Sequence, residues 1–126
     1  MIQIDARSSK PIYEQIVERI KESIIKGVLR PGDRLPSVRE MSSMIMANPN
    51  TVAKAYQELE RQKAIETIQG KGTFVAQDNR PRVDDDMLEA LKKQLYKAAV
   101  DAHYMGLFKN DLTAILDDIY KELGKE

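Results

Sequence analysis

Apolar side chains recur along this chain at two different periods. Ile12, Ile16, Ile20 and Ile24 stand at four-residue steps, with Tyr13 and Val17 widening the stripe, which is the spacing of a helix with one buried face. Pro11 suits the first helical position, where its missing N–H leaves no bond unmade, and Gly27 marks the stop. The stretch Leu29-Arg30-Pro31-Gly32-Asp33-Arg34-Leu35-Pro36 carries two prolines and a glycine, and predicts a tight, non-helical connection. Ser37 with Glu40 three residues later is a capping box; it opens a second, short helix ending near Ile45. Asn48-Pro49-Asn50-Thr51 is a third start signal, an N-cap side chain ahead of a proline. Val52, Ala55, Tyr56 and Leu59 then fall at i, i+3, i+4 and i+7 and predict the buried face of that helix. Beyond it, Ile65–Ile68 and Thr73–Ala76 read as strands, joined at Gln69-Gly70-Lys71-Gly72 by a type I′ or similar hairpin turn.

The polar stretch Gln77-Asp78-Asn79-Arg80-Pro81-Arg82 breaks the pattern and reads as a linker. After it, Asp84-Asp85-Asp86 places acids where a helix start favours them. Leu88, Leu91, Leu95, Ala98, Ala99 and Ala102 make a stripe, Gly106 a break, and Leu112, Ile115, Leu116, Ile119 and Leu123 an inward face for a last helix capped by Asn110 or Asp111. The expected architecture is mostly α with a small β-hairpin wing. A winged helix-turn-helix domain occupies 1–76, a linker 77–83, and a two-helix hairpin 84–126. Such a hairpin is too small to bury its own apolar surface. It must lean on the front domain or on a second copy of the chain, so Leu88, Leu91, Leu95, Leu112, Ile115, Leu116 and Ile119 are the candidate dimerisation residues.

Composition narrows the chemistry. The 126 residues are 42% hydrophobic and 32% charged, with no cysteine and one histidine. A disulfide scaffold, a zinc finger and thiol catalysis are excluded, and His103 alone makes neither a metal cluster nor a triad. Carboxylates at adjacent helical positions, such as Asp117 and Asp118, face different ways and form no acid–base dyad. No nucleotide loop is present, since no helix follows the glycines at 70 and 72. The expectation is a protein without enzymatic activity or cofactor. No apolar run is long enough to span a bilayer, and the opening Met1-Ile2-Gln3-Ile4-Asp5 lacks a signal-peptide pattern, so the chain is expected in the cytoplasm with no membrane partner.

The formal net charge is zero, but the charges are unevenly placed. Residues 1–82 hold 14 Lys or Arg against 10 acids, and residues 83–126 hold 6 against 10. A basic front and an acidic back predict two parts with different partners. Opposite the buried face of the third helix lie Asn50, Thr51, Ala53, Lys54 and Gln57, residue types that reach bases or phosphates; a polar stripe of this kind also suits an ordinary solvated surface. Arg39, at the start of the second helix, could reach a phosphate or a guanine, or pair with Glu40 or Asp33 at the surface. Gly70 and Gly72 let the wing approach a backbone closely, and Lys71 adds charge there. Tyr96, Tyr104, Met105 and Phe108 read as core or dimer seam.

The run Pro11-Ile12-Tyr13-Glu14-Gln15-Ile16, then Pro31-Gly32-Asp33-Arg34-Leu35-Pro36-Ser37-Val38-Arg39-Glu40, then Asn48-Pro49-Asn50-Thr51-Val52 with Ala55-Tyr56-Gln57-Glu58-Leu59-Glu60, then Gly70-Lys71-Gly72-Thr73-Phe74-Val75, resembles the GntR family of bacterial transcription regulators. The short tail resembles that of the YtrA-like subfamily. The resemblance implies a homodimer on a two-fold double-stranded DNA operator, the third helix in the major groove and the wing at the minor groove or backbone. It places DNA contacts at Arg39, Asn48, Asn50, Thr51, Ala53, Gln69 and Gly70, to which the residue reading adds Lys54 and Lys71. It also implies a repressor of a transporter-type operon. Three positions depart from the family pattern: Ala53 stands for an arginine, and Met46 and Lys63 stand for turn glycines. A small-molecule effector, of no readable identity, is expected only at a dimer seam or between the two parts, because the hairpin leaves little room for a pocket. The competing reading is a winged-helix protein-interaction adaptor without specific DNA binding.

Overall fold

The computed structural model describes residues 2–78 and 83–125. The chain divides into two compact units, Met1–Asn79 and Arg80–Glu126. Residues 79–82 of the linker expected over 77–83, with Arg80 and Arg82, lie outside the described residues.

The first unit runs α1 (Ile12–Ile25), β1 (Arg34–Leu35), α2 (Val38–Ile45), α3 (Pro49–Arg61), β2 (Ile65–Ile68) and β3 (Gly72–Val75). Pro11 is the N-cap rather than the first helical residue of α1. From α1 the stripe delivers Ile16, Val17 and Ile20 to the core, with Ile12, Tyr13 and Ile24 at its margin. They meet Leu35, Met41, Val52, Ala55, Tyr56, Leu59, Ile65 and Val75. Gln15 is a buried polar residue in this stripe. Its Oε1 accepts from Asp5 N–H at 2.8 Å, and its Nε2 donates to the carbonyls of Asp5 and Lys10 at 2.9 and 3.0 Å. With every polar atom partnered its burial is tolerated, and the segment preceding α1 is pinned to the helix.

The capping box forms as the sequence requires: Glu40 N–H donates to Ser37 Oγ at 3.1 Å, and Ser37 N–H to Glu40 Oε1 at 3.0 Å. The turn from α2 to α3 passes through Met46 at φ 55°, a left-handed conformation that costs a side-chain-bearing residue about 1–2 kcal/mol. Ser42 holds that turn from both ends: its hydroxyl donates to the Ala47 carbonyl, and its own carbonyl accepts from Ala47 N–H at 3.1 Å. Lys63, after α3, is left-handed too, at φ 62°. Both residues therefore keep the backbone that a glycine would adopt without strain.

The wing has three strands, not the two expected. Its order is β1-β3-β2, all antiparallel, with Arg34 opposite Phe74 and Glu66 opposite Phe74 on the other side. A two-residue strand inside a proline-rich turn has no periodicity to read, and only β3 defines it. The hairpin turn closes through Lys71 N–H to the Ile68 carbonyl at 2.9 Å. Gly70 is at φ 80° while Gln69 is not left-handed; this is the type II pattern rather than type I′.

The second unit is α4 (Asp85–Tyr104) and α5 (Lys109–Glu122). Asp84 caps α4 by accepting from Met87 N–H at 3.0 Å. Asp111 serves α5, but from the third helical position: it accepts from Phe108 N–H at 2.7 Å, and Phe108 is the N-cap. Among the described residues of this unit only Ala102 is buried, so the inward face expected for the last helix is not buried by the chain itself.

Tyr56 fixes α3 against the turn ahead of α2, donating its hydroxyl to the Pro36 carbonyl at 2.7 Å. Tyr56→Phe is expected to lower the unfolding free energy by about 1 kcal/mol, read by urea denaturation. Burial, and then the charge of Glu40, push the Tyr56 phenol up to about 12, whereas an unfolded chain ionises it near about 10. The folded state holds this proton more tightly, so the contribution is full below pH about 10 and declines as pH rises toward 12. That decline should be missing from Tyr56→Phe compared with the wild type under identical conditions.

Candidate nucleic-acid interface

The interface is built on how α3 is seated. With Val52, Ala55, Tyr56 and Leu59 buried, the helix period turns Asn50, Ala53, Lys54 and Gln57 outward. Asn50, Lys54 and Gln57 are exposed, and Thr51 and Ala53 partly so. Asn48 has a structural duty, its Oδ1 accepting from Asn50 N–H at 2.8 Å as the N-cap; its side-chain NH₂ is what can serve an outside partner.

Cations divide into two groups. Along α1 and the end of α3 they are consumed within the unit: Lys10 by Glu18 at 2.7 Å, Arg19 by Glu22 at 2.8 Å, Arg61 by Glu58 at 2.8 Å, and Lys21 by the Gln62 side-chain oxygen at 2.8 Å. The Arg61 hydrogen bonds, then those from Gln62, hold the Glu58 carboxyl below its ordinary value against partial desolvation. Among the described residues, Arg34, Arg39 and Lys71 form no such pair, and neither do Arg7, Lys26, Arg30, Lys54 and Lys63. The surface pairing of Arg39 with Glu40 or Asp33 does not form. Glu40 is spent on the α2 cap, and Asp33 accepts from Arg30 N–H at 2.8 Å. The Ser37 backbone N–H, then its side chain, and last the Arg34 guanidinium draw the Glu40 carboxyl below its ordinary value.

Sequence reasoning missed Arg34 as a candidate. Its guanidinium lies across Gly72, where an added Cβ would stand 3.2 Å from Arg34 Nε. Gly72 sits at φ 127°, so a glycine both allows the backbone and leaves the arginine its place. Arg34 thus lies against the tip end of the wing, at the Ile68–Gly72 pair that borders the turn. No sequence signal marked it, because its neighbours are set by the β1–β3 register. At the wing tip Gln69, Gly70 and Lys71 are exposed; among the described residues no hydrogen bond joins them to α3 or Arg39.

In the second unit, Leu88 and Leu112 are half-buried. Leu91 is 50%, Leu95 57%, Ile115 46%, Leu116 48% and Ile119 45% exposed. Tyr96, Tyr104, Met105 and Phe108 are exposed as well, so none belongs to a core. His103 is exposed, and its neighbour Asp101 pairs with Lys97 at 2.9 Å. Among the described residues, no group of His, Asp or Glu could hold a metal ion, and no helix is long and apolar enough to cross a membrane.

Residues 12–75 match the model of a family described as bacterial regulatory proteins, gntR family. The HTH-type transcriptional repressor YtrA of Bacillus subtilis (strain 168) is 51% identical over 107 residues, 85% of this chain and 82% of that one. A Listeria monocytogenes EGD-e protein solved as a transcriptional antiterminator is similar with a TM-score of 0.89 and 41% identity, over 98% of this chain and 92% of its own. The AraR DNA-binding domain, solved in complex with operator ORE1, is similar over 60% of this chain and 93% of that domain, with 29% identity and a TM-score of 0.52.

Because Asn48 is occupied as a cap, Asn48→Ala is expected to destabilise the fold by about 1 kcal/mol. Arg39→Ala, which breaks no internal pair, should stay within about 0.5 kcal/mol of the wild type. Thermal unfolding of the two variants checks the contrast.

Proposed function

Since the chain belongs to the gntR family of bacterial regulatory proteins, whose members are DNA-binding regulators and not enzymes, we propose that it is a sequence-specific repressor that grips a two-fold operator as a homodimer in the cytoplasm. The observation that carries this reading is the outward face of α3, with Asn50, Lys54 and Gln57 exposed, together with Arg34, Arg39 and Lys71, three exposed cations that form no ion pair among the described residues. Arg34, Arg39, Lys54 and Lys71 neutralise phosphates, and the released counterions supply salt-dependent affinity. Asn50, Thr51 and Gln57 enter the major groove, where an amide pairs with adenine. Ala53 offers only a methyl, suited to a thymine methyl rather than to guanine. Gln69 and Gly70 bring the wing backbone to the duplex, and the Asn48 side-chain NH₂ donates to a phosphate.

The partner for the second unit is another copy of the same chain. A helix pair with one buried residue and six aliphatic side chains about half-exposed, among the described residues, has not completed its burial, and a two-fold operator requires two reading heads. The transporter-type operon is carried over from the resemblance to the YtrA-like group.

The test is selection of a bound sequence from a random duplex pool, followed by salt titration. Arg39→Ala should weaken the selected duplex by about 1–3 kcal/mol and lower the salt slope by about one. Failure of micromolar protein to retain any duplex at low salt would replace this reading with the protein-interaction adaptor. Light scattering should find dimers for the wild type and single chains for the double variant Leu95→Asp, Leu116→Asp. Single wild-type chains at concentrations that saturate DNA would overturn the dimer.

A further inference from the structure

Lys54 Nζ lies 3.9 Å from the centroid of the Tyr13 ring. We propose that this pair is a clamp for a duplex phosphate, blind to sequence, in which Tyr13 is a positioning residue and Lys54 the contact. The inference rests on the DNA-binding reading above and deepens it.

Lys54, Glu58 and Gln62 stand at four-residue steps and make one ridge of α3. That ridge turns toward α1: Lys21 donates to Gln62 at 2.8 Å, Gln62 in turn donates to Glu58 at 3.1 Å, and Lys54 meets Tyr13. Ala53 and Gln57 form the neighbouring ridge. The Lys54 ammonium is therefore drawn toward α1 and does not fill the place that Ala53 leaves empty on the base-reading side. It stands beside that side, where a sugar-phosphate strand borders the groove.

The choice of an aromatic partner matters. A carboxylate beside Lys54 would cancel its charge, as Glu22 does for Arg19. Among the described residues no carboxylate pairs with Lys54. The ring attracts the ammonium through its quadrupole but carries no net charge, so the cation is held in place and stays fully available to an anion. Its long side chain is ordered before the phosphate arrives, which reduces the entropy lost on binding. The Tyr13 hydroxyl is engaged elsewhere, 3.4 Å from Glu14 Oε1, and the ring alone does the holding.

The experiment compares full-length wild type, Lys54→Gln, Tyr13→Leu and Tyr13→Phe on the selected operator and on a random duplex across a salt series. Lys54→Gln should lower the salt slope by about one on both duplexes and weaken both by the same factor. Tyr13→Leu should weaken both by about 2- to 5-fold, and Tyr13→Phe should restore wild-type binding. The ring-current shift of the Lys54 ε-methylene protons should persist in Tyr13→Phe and vanish in Tyr13→Leu, a readout that a loss of packing alone would not produce. Wild-type affinity in Tyr13→Leu, a Tyr13→Phe as weak as Tyr13→Leu, or a Lys54→Gln loss confined to the operator would overturn the clamp while leaving the regulator reading intact. A wild type that binds neither duplex at low salt would overturn both.

Discussion

The hydroxyl of Tyr56, buried on α3 and donating to the Pro36 carbonyl, ties the helix that faces outward to the turn that launches α2. Everything offered to a partner is measured from that tie. The Ser37–Glu40 cap starts Arg39 in its place one residue beyond Val38, and the proline-bounded turn becomes β1, which puts Arg34 across the wing. The tie is strong because it is dry: a buried phenol must keep its partner or leave an unmet carbonyl behind. The left-handed Met46 is tolerated within the same frame, its turn fastened by Ser42 at both ends.

Charge works by position and not by sum. A net charge of zero would argue against a polyanionic partner, yet the structure spends most of its acids on other duties. Glu40 and Asp33 accept backbone N–H groups, and Glu18, Glu22 and Glu58 quench the cations of α1 and the end of α3. Arg34 and Arg39 near the start of α2 and Lys71 on the wing are among the cations left without an ion pair in the described residues. Lys54 is a third case, held without being neutralised.

The second unit shows the reverse economy. Asp84 caps α4 ahead of an acidic first turn, and Asp111 accepts the Phe108 N–H at the start of α5, so both helices form on local signals. Their apolar stripe is only half covered, and a stripe of that kind is unfinished until something packs on it. In the homodimer proposed here the partner subunit finishes it, and the spacing of the two reading heads follows from the tails.

The sequence by itself determined the helices and their faces. Four-residue isoleucine steps, the Ser37–Glu40 box, the Asn48-Pro49 start and the glycines at 27, 70 and 106 are local instructions, acting through capping and periodicity within a few residues. They also put Asn50, Thr51, Ala53, Lys54 and Gln57 on the outer side of α3, and the capping duty of Asn48 was legible in the same motif. Tertiary structure decided what depends on distant partners. The β1 strand exists only because β3 lies beside it, and Arg34 comes to the candidate interface only through that register. Whether Arg39 is free turned on Glu40 and Asp33 being claimed by backbone groups. The direction of Lys54 came from an aromatic ring 41 positions away, since helix periodicity sets where a side chain leaves the helix and only packing sets where its charge comes to rest.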